Sequence, residues 1–248
     1  MAFRTKDRIP NVYEHWIAKD FFAYIRIAQG SDKRADFLSI MNKPKRYIGR
    51  DSLCEPHVAF DEWIRMYDEQ PWIAERIEQL WHDTRVLNTL SPYAAINFIR
   101  RGIGYDDYIA DYADYRNVNK DDLYDVADEI LSNAKGYRTL EEWYTHIENY
   151  KKELEELAKR GNSNEDAVVL ATLHSSKGLE FEKVFLIDVN EGITPYKKAV
   201  LQPDMEEERR LFYVGMTRAK RSLTLCSVKT LHNKKVELSR FLKEAGAE

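Results

Sequence analysis

Tryptophan and tyrosine are confined almost entirely to one side of this 248-residue chain, and that asymmetry limits what it can fold into. All five tryptophans and 13 of the 15 tyrosines precede residue 151. The remainder carries β-branched runs that the first part lacks, such as Ala167-Val168-Val169-Leu170-Ala171. Large rings pack well between helices, whereas short β-branched runs suit a buried sheet. Two bodies of different class are therefore expected, divided near residue 160. Lys159-Arg160-Gly161-Asn162-Ser163-Asn164 reads as a polar linker ending a helix, with Gly161 suited to the C′ position.

The first part reads as mostly α. Trp16/Ile17, Phe21, Tyr24/Ile25 and Ala28 recur at three- and four-residue steps and form one buried stripe, which Gly30 and Ser31 stop. Similar stripes lie at 58–67, 73–81, 94–99, 123–131 and 140–157, and their tryptophans and tyrosines are expected in a helix-packing core. The acidic stretch 106–129 lacks the central glycine and final Glu of a calcium loop and reads as a solvated, Tyr-studded surface.

The second part reads as α/β. Residues 167–171, 183–187 and 223–228 are candidate strands buried on both faces. Between the last two a helix is expected, with Asp204 as its cap and Glu207 completing a capping-box-like pair. Glu206, Glu207 and Glu208 suit its positive end, and Arg218, Lys220 and Arg221 its negative end. Strands separated by a helix predict parallel pairing, with ligands gathering at the carboxyl ends of the strands.

Composition excludes several functions. The net charge is −4, and residues 164–248 hold 14 basic against 13 acidic side chains, so neither half is a polycation. No apolar run approaches the ~20 residues that span a bilayer, and Met1-Ala2-Phe3-Arg4 lacks the apolar stretch expected of a signal peptide. The two cysteines, Cys54 and Cys226, lie far apart, so a reducing, cytoplasmic compartment is expected. There is no GxxxxGK[ST] phosphate loop, no HExxH and no His/Cys cluster at metal-ligand spacing.

Two segments carry chemistry. Thr172-Leu173-His174-Ser175-Ser176-Lys177-Gly178-Leu179-Glu180-Phe181 follows a strand and presents hydroxyls, an imidazole, an ammonium and a glycine within a few residues. Such a loop fits a polyanion or nucleotide contact, and equally a plain polar turn. The second segment runs from Glu206 to Lys220, EEERRLFYVGMTRAK, and places Arg218 at the edge of a packed helix face. Gly215 within that helix costs about 1 kcal/mol relative to Ala, which points to close packing or backbone contact.

Together the two segments resemble motifs V and VI of the UvrD/Rep/PcrA-like superfamily 1 DNA helicases. The strand and loop Phe185-Leu186-Ile187-Asp188-Val189-Asn190-Glu191-Gly192-Ile193-Thr194-Pro195 look like that family's, as do Tyr13-Glu14 and Lys19-Asp20 upstream. Asn42-Lys43-Pro44-Lys45-Arg46-Tyr47-Ile48-Gly49 is similar to the N-x-P-x-R-x-I-G element of the family's accessory insertion. One departure is Ser176, where relatives commonly have Ala.

The resemblance implies an incomplete RecA-like, P-loop NTPase-type parallel-sheet domain with a helical insertion. Residues 1–27 would be the N-terminal helical segment of the second motor domain, 28–162 the 2B-like insertion, and 163–248 the rest of the motor domain. It implies the C-terminal part of an ATP-dependent DNA helicase or translocase of three-prime to five-prime polarity. The chain alone would be inactive, because the first motor domain would supply the phosphate loop and Mg²⁺ ligands. By the same resemblance Arg218 is the catalytic arginine, and Gly178 and Glu180 join it in binding ATP. Thr172, His174 and Ser175 would face single-stranded DNA, and Lys45, Arg46 and Arg50 the duplex at the junction. The expected partners are DNA and the first motor domain, not a membrane, with nucleoid association when on DNA. The rival readings are a non-catalytic DNA- or protein-binding module of the same fold, and the helicase-like part of a helicase–nuclease subunit.

Overall fold

A computed structural model describes residues 3–7, 9–160, 167–231 and 234–246. The chain divides into two compact units, Pro10–Lys152 on one hand and Met1–Ile9 with Glu153–Glu248 on the other. The crossings expected near residues 27 and 162 thus fall after Ile9 and after Lys152. The reason is helix α1 (Trp16–Ala28), whose Ile17, Phe21, Tyr24 and Ile25 are fully buried in the core of the helical unit. The linker read at 161–164 lies outside the described residues.

The helical unit is built around α1. His15 caps it, its Nδ1 accepting from the Ile17 N–H at 3.3 Å. Burial, helped by the Lys19 charge, holds the His15 imidazole below its ordinary pKa, which suits a ring that must stay unprotonated to accept. Gly30, at φ +98°, ends the helix, with the Ser31 N–H reaching back to Arg26 O at 2.8 Å. Helices α2 (Arg34–Ile40), α3 (Phe60–Arg65), α4 (Pro71–Leu87), α5 (Pro92–Asn97), α6 (Tyr105–Arg116), α7 (Lys120–Asn133) and α8 (Leu140–Arg160) follow. The acidic stretch 106–129 is not merely a solvated surface, because it forms parts of α6 and α7 and buries Ile109, Ala113 and Ala127. Arg100, itself 6% exposed, ties these helices through Asp106 at 2.9 Å and Asp128 at 2.7 Å.

The α/β unit holds two parallel strand pairs. Strand β1 (Phe3–Thr5) pairs with β2 (Val168–Leu170), and β3 (Phe181–Leu186) with β4 (Ala219–Leu225). Helix α9 (Gln202–Met216) makes the crossover between β3 and β4, as parallel pairing requires. A short antiparallel pair, β5 (Thr230–Leu231) and β6 (Lys234–Lys235), and helix α10 (Arg240–Glu244) complete it. Three expectations are corrected here. The strands are not buried on both faces: Phe185 is 63% exposed and Leu223 38%, because the apolar residues of α9 pack on one side only. Helix α9 starts before Asp204, with Pro203 in its first turn and Leu201 at the cap, so no capping box forms. Lys220 and Arg221 lie in β4, where they pair with Glu180 at 3.1 Å and Glu182 at 3.9 Å rather than with a helix terminus.

Candidate functional site

The segment 172–180 leaves the carboxyl end of β2 and enters the amino end of β3. Its anchor is apolar. A Cβ on Gly215 would sit 2.5 Å from Leu173 Cδ2 and 3.3 Å from Leu186 Cδ2, so only glycine lets α9 approach both the loop and β3 this closely. The glycine inside the helix is a packing requirement.

Polar bonds then shape the loop. The Asp7 carboxylate, just after β1, accepts from the Thr172 N–H at 2.8 Å and the Ser175 hydroxyl at 2.6 Å. Those bonds, with the Ser175 hydroxyl first, hold Asp7 below the ordinary carboxylate pKa. Ser175 N–H donates to Thr172 Oγ1 at 3.2 Å, and the buried Ser176 hydroxyl donates to Leu173 O at 2.7 Å. The serine that departs from the family pattern therefore closes the turn. His174 and Lys177 project outward and are exposed. Gly178 sits at φ +81° with open space around it, a left-handed position in which any other residue is strained.

Arg218 joins the second segment to the first. Its Nε donates to Val214 O at 2.9 Å, Nη1 to Leu179 O at 3.0 Å, and Nη2 to Thr217 Oγ1 at 2.9 Å. Its own carbonyl accepts from the Phe181 N–H at 2.9 Å. Among the described residues no carboxylate pairs with it. Each terminal nitrogen keeps one further N–H beyond these bonds. Glu180 stands beside it on β3's approach, exposed and paired with Lys220. Gly178, Glu180 and Arg218 thus converge at the amino ends of β3 and β4, not at the carboxyl ends anticipated from the sheet type.

The remaining candidates belong to the helical unit. The loop 42–49 is organised by Asn42, whose side chain accepts from Arg46 N–H at 3.2 Å and Ile48 N–H at 3.0 Å and donates to Ile48 O at 2.8 Å. Lys43 pairs with the buried Asp20 at 2.7 Å, and the Tyr105 hydroxyl donates to the same carboxylate at 2.5 Å. Arg46 is 6% exposed and donates to Ile40 O, Met41 O, Pro44 O and the Tyr24 hydroxyl. It holds the loop from inside, contrary to the surface role expected of it. Lys45 and Arg50 are exposed as expected.

Sequence reasoning missed Asp7, Leu173 and Asn42, which shape the two loops, and Lys220, which pairs with Glu180. It also expected the tryptophans of its apolar stripes in a core: Trp63 and Trp143 are buried, but Trp81 is 39% exposed. Trp72, just before its stripe, is 48% exposed and sits beside the 42–49 loop. Among the described residues no group of three or more His, Cys, Asp or Glu side chains could hold a metal ion. No described helix is long and apolar enough to cross a membrane.

The UvrD-like helicase C-terminal domain family matches residues 11–230. The ATP-dependent DNA helicase Rep of Escherichia coli is 31% identical, over 91% of this chain and 37% of its own length. The ATP-dependent DNA helicase PcrA of Bacillus subtilis is 29% identical, over 88% of this chain and 32% of its length. DNA helicase II of Haemophilus influenzae is 28% identical, over 86% and 32% respectively. The chain spans about a third of the length of these relatives.

Proposed function

The chain belongs to the UvrD-like helicase C-terminal domain family, and from that premise we propose that it is the carboxy-terminal part of an ATP-dependent DNA helicase or translocase. In this reading the α/β unit is the end of a second RecA-like motor domain, and the helical unit contains the accessory insertion. A first motor domain supplies the phosphate loop and the Mg²⁺ ligands, and Mg²⁺ supplies charge neutralisation at the phosphates when bound. This chain alone then hydrolyses no ATP.

The observation that carries the reading is the state of Arg218. A guanidinium tied to Leu179 O and Val214 O, with no carboxylate partner among the described residues, is fixed in place yet electrically unneutralised. That is the condition an arginine needs to meet charge developing on a γ-phosphate. Glu180, exposed beside it, accepts from a ribose hydroxyl, and Gly178 allows the backbone to approach. His174, with Thr172 and Ser175 behind it, meets single-stranded DNA at the other side of the same loop. Closing the site around ATP therefore moves the DNA contact, because Leu179 O and His174 share one short segment. Lys45 and Arg50 meet the duplex, and the motor moves in the three-prime to five-prime direction.

The test uses the parent protein. Arg218→Lys keeps the charge but loses the planar fork, and is expected to lower DNA-stimulated kcat by at least about a hundredfold. Full turnover in that variant would overturn the assignment of Arg218, whereas an unaltered parent protein without DNA-stimulated ATP hydrolysis would favour a non-catalytic binding module. Unwinding of duplexes carrying a single tail of either polarity tests the direction.

A further inference from the structure

Trp72 and Arg76, one turn apart on α4, face Tyr47 and Lys45 of the 42–49 loop. Trp72 is 48% exposed and Tyr47 55%. Their ring centroids lie 6.1 Å apart with planes at 68°. The Arg76 guanidinium carbon stands 5.0 Å from the Trp72 centroid and 5.1 Å from that of Tyr47, and Lys45 Nζ is 4.5 Å from Tyr47. Arg76 is also fixed by a hydrogen bond from Nη1 to Arg46 O at 3.2 Å. A single exposed ring needs no explanation. Two half-exposed rings locked together by a cation, on an element held from below by the buried Arg46, form a built surface.

Two further features narrow what it binds. Among the described residues, Lys45, Arg50 and Arg76 form no ion pair with a carboxylate, so their charges are available to an anionic ligand. Tyr47 sits at φ +60°, where a side chain costs about 1–2 kcal/mol that glycine avoids. A bulky ring is thus kept where backbone energy favours none. Flat π-faces flanked by unpaired cations match a ligand with planar rings and an anionic backbone.

We infer that Trp72, Tyr47 and Arg76 form a platform on which an exposed nucleobase of DNA stacks, while Lys45 and Arg50 hold the flanking phosphates. The base comes either from an unpaired nucleotide or from the open end of a duplex; the ring face it offers is the same. This inference rests on the DNA-binding reading given above and adds recognition of bases, which phosphate contacts alone do not provide.

The experiment measures binding of the 248-residue chain to fluorescein-labelled DNA at fixed salt. The probes are a mixed-sequence single strand, a blunt duplex, and a single strand of abasic residues. Trp72→Ala and Tyr47→Gly are expected to weaken binding to base-bearing DNA by roughly 5–100-fold, the range of one lost base–aromatic stack. Binding to the abasic strand stays unchanged, and Trp72→Phe keeps most of the affinity. A loss on the single strand identifies an unpaired base, and a loss on the blunt duplex a terminal one. Tyr47→Gly relieves the left-handed residue, so its thermal midpoint does not fall with its affinity. Lys45→Gln weakens all three probes together and lowers the salt slope by about one. Equal losses on base-bearing and abasic DNA, or no loss on either, overturn the platform. Failure of the unaltered chain to bind any probe would instead remove the DNA-binding reading beneath it.

Discussion

The two units of this chain are held together by different means. The helical unit has one apolar core running from Tyr13 to Ile147, in which Ile17, Tyr24, Ile77 and Trp143 are 0% exposed. The described core of the α/β unit is Leu186, Val189, Phe212 and Phe241, while Phe185, Ile187 and Tyr213 remain 63%, 66% and 62% exposed. Burial stabilises by roughly 25 cal/mol per Å² of apolar surface, so the second unit has far less in reserve. Its backbone is fixed instead by local polar bonds. Asn190, fully buried, exchanges hydrogen bonds with Val228 and donates to Glu237 O, and Glu191 receives Arg240 in a bidentate pair. The 172–180 loop, proposed above to meet nucleotide and single-stranded DNA, therefore belongs to the half of the chain with the thinner core.

Core truncation tests this contrast most severely. Trp143→Ala and Phe212→Ala each remove a ring from a closed site, and each is expected to destabilise its own unit by about 3–5 kcal/mol. The outcomes should differ. The helical unit should absorb the loss and melt earlier but cooperatively, whereas Phe212→Ala should leave the α/β unit unfolded at 25 °C. All five tryptophans lie in the helical unit, so their fluorescence reports it alone, while far-ultraviolet circular dichroism reports both. A Phe212→Ala chain that loses both signals in one transition would break the comparison.

Overpacking comes next. Gly215→Ala gains about 1 kcal/mol of helix propensity but drives a methyl into Leu173 and Leu186, a strain of about 1–3 kcal/mol. Leu173 is the softer neighbour, so the displacement should fall on the 172–180 loop. Faster hydrogen exchange in that loop, with tryptophan fluorescence unchanged, is expected. Unaltered exchange there would show that the loop does not depend on the glycine.

How much of this was legible in the sequence follows the same division. Helix α1 could be read residue by residue, because a stripe at three- and four-residue spacing states both the element and its buried face. Parallel strands joined by a helix were legible too, but their exposed faces were not. A run such as Val184-Phe185-Leu186 looks identical whether one side or both are covered. Loops hid most. Nothing in the N-x-P-x-R-x-I-G spacing distinguishes Lys45, which faces water, from Arg46, which donates to carbonyls inside. That orientation depends on Asn42 folding the chain back on itself. Trp81 was misassigned for a related reason: periodicity shows which residues a helix can bury, not whether another element arrives to cover them, and this ring stays 39% exposed.

Acid should separate the units by a smaller amount and in opposite senses. In the α/β unit the Ser175 hydroxyl and Thr172 N–H lower the pKa of Asp7, and Arg209 lowers that of Glu244. Burial pushes Glu191 up, but its bonds to Arg240 outweigh this and bring it below the ordinary value. Groups lowered in the folded state stabilise fully above their unfolded pKa, and the benefit is lost as pH falls through the folded one. In the helical unit burial raises the pKa of Asp20 and Asp83, so there the folded state takes up protons first and gains relative stability on acidification. Asp36, lowered because its bonds to Arg26 and Ser31 outweigh burial, and His15, held below its ordinary pKa by burial, both offset part of that gain. Titration from about pH 6 to about pH 3 should therefore unfold the α/β unit first. Tryptophan fluorescence changing together with the first loss of circular dichroism would reverse the order and refute the account.

The smallest expected effect isolates function from stability within the thin unit itself. Thr172 and Ser175 bond to each other and to Asp7, so changing them disturbs the loop as well as any DNA contact. His174 lies between them, is exposed, and has no side-chain hydrogen bond among those described. Removing its ring should leave the turn intact, since the bonds of Thr172, Ser175 and Ser176 that close it do not involve the imidazole. His174→Ala is therefore expected to weaken single-strand binding by a few-fold, on the order of one lost polar contact. The thermal midpoint should stay within about 1 °C, because exposed substitutions usually change stability by less than about 0.5 kcal/mol. Thr172→Ala should lower both quantities. A His174→Ala chain with unchanged single-strand affinity and a lowered midpoint would make this histidine a structural element of the loop, and the DNA contact would then have to be sought on Lys177, its exposed neighbour.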